Sequence, residues 1–317
     1  NIAAASTLST IGTSVLTLKD NLINNGTLTA AGTSTAQCSG TTTISGVGTT
    51  TFNNLIVNAG ASLTLPASLS VAGAWTNNGT VTPGTGSVTF NAGVNQAISG
   101  NATQTFNNIT VAKTGGSTLT FGAGVTTLNA NNLTLSNGGF TACANINLTG
   151  NFAYTAGTFT HNSGKITFNG TGAQTLGAAV TFNNIEVNKS AGTLSQNANC
   201  TINGTLTMTT GTYNVGNYVI SLGVSPTTFS ATGGDIQFGT TGIFPPAFSS
   251  FSITGGTVTL NANGTQILRP GISYYNVVLG NTSAKTLTNV TSIQKNLTLE
   301  GSATMTGNSA MTIGGTL

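Results

Sequence analysis

Charge is what this sequence has least of. Seven Lys+Arg and four Asp+Glu among 317 residues make 3% of the chain, against roughly 25% in an ordinary globular protein. Lys19, Lys113, Lys165, Lys189, Arg269, Lys285 and Lys295 are scattered, so the net charge of +3 builds no dense basic stripe of the kind that displaces counterions from nucleic acid. Nucleic acid is therefore excluded as a partner. The acids Asp20, Glu186, Asp235 and Glu300 are also far apart, whereas general acid–base catalysis needs two tuned groups converging on one substrate. Glu186 and Asp235 occupy outward positions of their local alternations and read as solvated charges that discourage edge pairing. The Asp cluster with adjacent Lys or Arg that a polysaccharide lyase would need is missing from the sequence.

Other scarcities narrow the chemistry further. His161 is the single histidine, so neither a His-based metal site nor a Ser-His-acid triad can be assembled; its setting, "THNSGK", reads as an exposed turn. Cys38, Cys143 and Cys200 are odd in number with no CxxC, which fits neither a disulfide framework nor a metal site. They are expected to pack as small hydrophobes. "GTGAQTLG" and "GVGTT" lack the Lys-Ser/Thr of a phosphate loop and read as turns. No apolar run approaches the ~20 residues of a membrane span. The reading is of a non-enzyme with no catalytic, cofactor or metal site. "NIAAASTLST" carries no initiator Met or signal peptide and "MTIGGTL" stops within a strand-like pattern, so residues 1–317 read as one continuous segment of a longer chain.

What is present is alternation and repetition. With 38% hydrophobic residues and little charge, the composition is the reverse of a disordered one. In "SLTLPASLSV" Leu63, Leu65, Leu69 and Val71 face one way and the hydroxyl residues the other; "GSVTF", "KITF" and "DIQF" behave alike. Such period-two runs bounded by Gly and Asn are short, half-buried strands, and no helical period is found. Two motifs recur. TFNNLIV (51–57), TFNNITV (105–111) and TFNNIEV (181–187), with a looser SYYNVVL (273–279), place Phe52, Phe106 and Phe182 inward. The asparagines Asn53, Asn54, Asn107, Asn108, Asn183, Asn184 and Asn276 then occupy corners, where Asn tolerates left-handed backbone and can ladder from coil to coil. The second motif, Gly-Thr-apolar-Thr, carries Thr27 and Thr29, Thr80 and Thr82, Thr158 and Thr160, Thr205 and Thr207, and Thr257 and Thr259. These pairs are candidates for surface threonine rows.

The motif starts are separated by multiples of a unit near 26 residues, within the range that marks solenoids. The expected fold is all-β, a parallel β-helix with rungs of about 26 residues and roughly twelve turns. "GTVTPGTGSVTFNAGVNQAIS" from Gly79 aligns with "GTFTHNSGKITFNGTGAQTLG" from Gly157, matching Gln96 to Gln174. Lys113 and Lys189 follow the TFNN strands at equivalent positions, a placement that suits solubility or weak attraction to anionic glycans. Trp75 and the pair Tyr274 and Tyr275 are expected in the core or a cap, with sugar stacking as the alternative.

"GTGSVTFNAGVNQAISGNATQTFNNITVAKTGGSTLTF" resembles the repeats of very large secreted or surface-anchored proteins of Bacteroidota, most strongly over 76–121 and 154–190. Rungs such as "NNLTLSNGG" are also similar to filamentous-haemagglutinin-type solenoids. The resemblance implies export, often by a type IX system, and adhesive, stalk or filament roles at the cell surface. The expected partners are further coils of the same chain or a homo-oligomer, with glycans or cell surfaces as ligands. Ice binding through Thr-x-Thr rows is the alternative function, with a carbohydrate-active, lyase-type β-helix third; against ice binding, the Gly-Thr-apolar-Thr copies skip one or two rungs each time.

Overall fold

The computed structural model describes residues 1–317 except 178, 225, 308 and 309. Among the described residues there are 39 strands and no helix, and the strands pair in parallel as the coils of a β-solenoid. The chain divides into two compact units, residues 1–148 with 153–162, and residues 149–152 with 163–317.

In the first unit the chain visits three stacks in turn. Thr27–Ala30, Thr35–Cys38 and Thr41–Ser45 make one coil, and Thr49–Phe52 begins the next directly over Thr27–Ala30. Apolar side chains at alternate positions point into the coil and stack in register. Phe52, Val71, Phe90, Val111 and Leu135 form one such inner column, each no more than 1% exposed. Leu16, Ala36, Leu55, Trp75, Ile98 and Phe121 form another. Burial of each large member contributes about 1.5–3 kcal/mol, and aromatic geometry adds to it: Trp75 lies 4.9 Å from Phe106 and 6.4 Å from Phe90.

The second unit repeats the plan. Phe168, Val187, Met208, Ala231 and Ile253 stack in one column. Leu194, Tyr213, Ile236, Val258, Val277 and Leu297 stack in another. Successive coils are fastened by side chains as well as by backbone, as the next subsection describes.

The rung is shorter than the motif spacing predicts. Thr7 faces Thr27, Leu69 faces Val88 and Ile109 faces Leu133, offsets of 20, 19 and 24, and the two units together count about 15 turns of about 20 residues. The error has a physical cause: the motif copies sit on different stacks. Thr27 pairs with Thr7 and Thr49, whereas Thr80 pairs with Ser62 in another stack. The interval between such copies therefore contains a fraction of a turn.

Candidate functional site

The Phe-Asn-Asn heptad is a corner, though not always the same corner. Phe52 ends Thr49–Phe52 and Asn54 opens Asn54–Val57, strands of two different stacks. In the second copy, Phe106 stacks on Ala130, while Asn108–Val111 continues the stack of Ser87–Phe90. Phe52 thus shares its column with Val71, Phe90 and Val111 rather than with Phe106. The second unit does the same, with Asn184–Val187 over Lys165–Phe168 and Asn276–Leu279 over Thr257–Leu260. Phe52, Phe106 and Phe182 are 1–2% exposed.

The corner asparagines bond between coils. Asn54 Oδ1 accepts from Ala74 N–H at 2.9 Å, Asn184 Oδ1 from Thr205 N–H at 2.8 Å, and Asn276 Oδ1 from Asn296 N–H at 3.2 Å. Asn132 Nδ2 donates to Asn108 Oδ1 at 2.7 Å, and Asn53, Asn107 and Asn183 donate to carbonyls of the preceding coil. None of the seven corner asparagines is among the residues with positive φ. The expected left-handed backbone is not what selects Asn here; its two-ended amide is.

A second corner device departs from the expectation of surface lysines. Lys113, Lys189 and Lys285 are not surface charges: each is 0–1% exposed. Lys189 Nζ donates to Gly170 O at 2.6 Å, Gly172 O at 2.9 Å and Gln174 Oε1 at 2.6 Å. Lys285 Nζ repeats this with Ala262 O at 2.7 Å, Gly264 O at 3.2 Å and Gln266 Oε1 at 2.9 Å. Lys113 Nζ donates to Gln96 Oε1. Each glutamine also ties down the coil before it: Gln96 Nε2 donates to Val71 O at 2.9 Å, Gln174 Nε2 to Gly150 O, and Gln266 Nε2 to Phe238 O and Thr240 O, both at 2.8 Å. One Gln–Lys clamp therefore fastens three levels of the solenoid. Burial pushes the Lys113 ammonium down to about 8 and lowers Lys189 and Lys285 as well. The sequence signal was available: "TFNAGVNQ", "TFNGTGAQ" and "TLNANGTQ" each place Gln six residues after the apolar residue that precedes Asn. An x-Lys on the following coil completes the pattern.

The outer surface of the first unit carries an uninterrupted rank of hydroxyls. Ser9, Thr29, Thr51, Ser70, Thr89, Thr110 and Thr134 face one another across seven successive coils. Two residues earlier on the same strands runs a companion rank, Thr7, Thr27 and Thr49, then Ser68, Ser87, Asn108 and Asn132. By strand geometry the ranks are ~6.6 Å apart, with rungs ~4.8 Å apart. The Gly-Thr-apolar-Thr copies do not make one row. Thr27 and Thr29 lie on this face, Thr80 and Thr82 pair with Ser62 and Thr64 elsewhere, and Thr158 and Thr160 pair with Gly139 and Thr141 in a third stack. In the second unit Thr205 and Thr207 pair with Thr228 and Ser230, whereas Thr257 and Thr259 pair with Asp235 and Gln237. The ranks escaped notice because most members come from strands outside that motif, such as "SLSV" and "SVTF".

The remaining candidates fall into the framework. Cys38, Cys143 and Cys200 are free and buried; burial raises the thiols of Cys38 and Cys200 to about 11 and about 12. Trp75 is buried and donates Nε1–H to Gln104 Oε1 at 3.1 Å. Tyr274 is buried and donates its hydroxyl to Arg269 O at 2.8 Å, while Tyr275 and His161 are half-buried. Glu186 is no solvated charge. It bonds Lys165 at 2.6 Å with Thr167 and Thr209 beside it. Burial resists ionisation of Glu186, but Lys165 and the two hydroxyls outweigh it and hold the carboxyl below its usual value. Asp235 accepts from Gln237 and Thr259. Among the described residues no group of three or more His, Cys, Asp or Glu is arranged to hold a metal ion, and no helix is long and apolar enough to cross a membrane.

The fold and these faces define the chain as a parallel β-solenoid repeat protein. Comparison with protein-family models, curated proteins and solved structures finds no match to it.

Proposed function

We propose that the chain is a non-enzymatic structural and adhesive segment, a shaft or stalk, of an extracellular bacterial surface protein or filament. The observation that carries this reading is where the chain places its few cations. Three of its seven cations and their glutamines are locked into fastening one coil to the next, while uncharged hydroxyl and amide ranks face outward. The likeness of 76–121 and 154–190 to Bacteroidota surface-protein repeats supports the same reading, with type IX export as the route and further coils or a second copy as partners. Antibodies raised against the segment should label intact producing cells, and protease added outside should remove the signal. Antigen confined to the soluble interior of those cells would refute the proposal.

A second reading, ice binding, is favoured by one specific finding. The hydroxyl rank is present on seven successive coils, so the skipping of the Gly-Thr-apolar-Thr motif does not count against it. An uncharged lattice of hydroxyls at ~4.8 by ~6.6 Å suits ordered water better than a carbohydrate crystal, which aromatic platforms grip. Thermal hysteresis by the pure protein, lost in Thr89→Leu/Thr110→Leu, is the expected result; freezing without hysteresis sinks the reading.

A further inference from the structure

We infer that a break between two coils of the second unit is a binding site for a neutral saccharide. The stack that runs through Lys165–Phe168, the first half of Asn184–Gln196, and the starts of Thr205–Gly216, Thr228–Phe238 and Ser250–Leu260 pairs in register up to Ser250–Ile253. The next coil supplies Ser273–Tyr274, but these residues pair onward with Ser292 and Ile293 and belong to a different sheet from Ser250–Leu260. No ladder joins Ser250–Ile253 to Ser273–Tyr274 among the described residues.

A cavity of about 370 Å³ occupies the break, lined by Ser250, Phe251, Ile253, Ile272, Ser273 and Gln294 among others. That volume falls within the ~300–1,000 Å³ of small-ligand sites. Gln294 bridges the break: its Nε2 reaches past the intervening coil to Ile253 O, 41 residues away in sequence, at 3.3 Å, and also donates to Ser273 Oγ at 3.3 Å.

The lining selects the ligand. Phe251 lies in register on buried Phe229 and contacts Phe248 edge-on, yet is itself half-buried. Its partly exposed ring supplies an apolar face to the cavity that it shares with Ile272 and Ser273 of the next coil, and a sugar's C–H face fits such a surface. Around it stand hydroxyls, a carboxamide and an unpaired strand edge, groups that bond sugar hydroxyls. No lining residue carries a charge, so an acidic sugar finds no counter-ion. An added β-strand is disfavoured because Gln294 already bonds the Ile253 carbonyl that such a strand would need.

This gives the adhesive part of the preceding proposal a ligand class, and rests on that proposal only for the extracellular setting. The test is saturation-transfer NMR on the whole chain with methyl glycosides of glucose, galactose, mannose and N-acetylglucosamine, and with their disaccharides. We expect transfer to at least one, with affinity falling about tenfold or more in both Phe251→Ala and Ser273→Phe, the latter filling the break from an exposed position. Circular dichroism checks that each variant is folded. No transfer to any neutral sugar, binding unchanged in folded Ser273→Phe, a preference for sialylated or sulfated sugars, or displacement by a Ser/Thr-rich tetrapeptide would each overturn the site. None of those outcomes touches the surface-labelling experiment, whose failure would remove the setting and leave the pocket.

Discussion

Removing Gln174 should cost the second unit about 3–5 kcal/mol. Its Oε1 accepts from Lys189 Nζ at 2.6 Å and from Gly170 N–H at 2.9 Å, and Gln174 is 0% exposed, so water does not replace it in the intact fold. A hydrogen bond to a charged group contributes ~1.5–3 kcal/mol, and an orphaned buried donor costs ~1–3 kcal/mol. Lys189→Met removes the ion at nearly constant length. It deprives Gly170 O and Gly172 O of their donor but also relieves the burial of a charge, so its cost should be smaller, about 1–3 kcal/mol. The double variant Gln174→Met/Lys189→Met replaces both partners with apolar chains and should cost at least ~1 kcal/mol less than the sum of the singles. Urea unfolding followed by circular dichroism gives the three free energies, and hydrogen exchange at Gly170–Gln174 localises the loss. Single effects that add within ~0.5 kcal/mol, or a Gln174→Met cost under ~1 kcal/mol, would refute the clamp as a coupled unit.

Three further outcomes are expected. Lys113 titrates near 8 in the fold and near 10.4 unfolded, so between those values the unfolded chain holds a proton that the folded chain has released. Lys113 should therefore make stability rise with pH across that window, by at most about 1.4 kcal/mol per unit for this one group, and Lys113→Met should remove that share while any rise from Lys189 and Lys285 stays. Ellman's reagent at pH 8 should find Cys38 and Cys200 inert until denaturant is added, since burial keeps both thiols protonated; rapid native labelling would contradict their placement. Gly100→Ala should destabilise the first unit by more than ~2 kcal/mol, because φ is +104° and the added methyl would strike Asn77 O, whereas Gly124→Ala, at φ +91° in open space, should cost only the ~1 kcal/mol of backbone strain. Equal melting temperatures for the two variants would contradict that contrast.

The class of fold was legible because alternation is a local property. Leu63, Leu65, Leu69 and Val71 alternate with hydroxyl residues in the sequence and are buried in the structure. The rung length was not legible from motif spacing, since Phe52 and Phe106 turn different corners and their separation is not a whole number of turns. The lysines were misjudged for another reason. A cation in a polar sequence is expected outside, and only the path of the coil brings Lys189 back over the Gly170–Gln174 loop. The hydroxyl ranks depend on register, which pairs Ser70 with Thr51 and Thr89 although their local sequences share no motif. The break at Phe251 is a missing pairing, and no residue pattern announces it.

The three clamps close over arcs of different length, with lysine 17, 15 and 19 residues after its glutamine. The strands inside each arc are held in register, so the difference in length is taken up in the turns between them, and those turns can gain or lose a few residues without unhooking the coil. That makes those turns a natural place for a lineage, or an engineer, to graft new loops: Gln and Lys act as a buckle, and the strap can be let out at its folds.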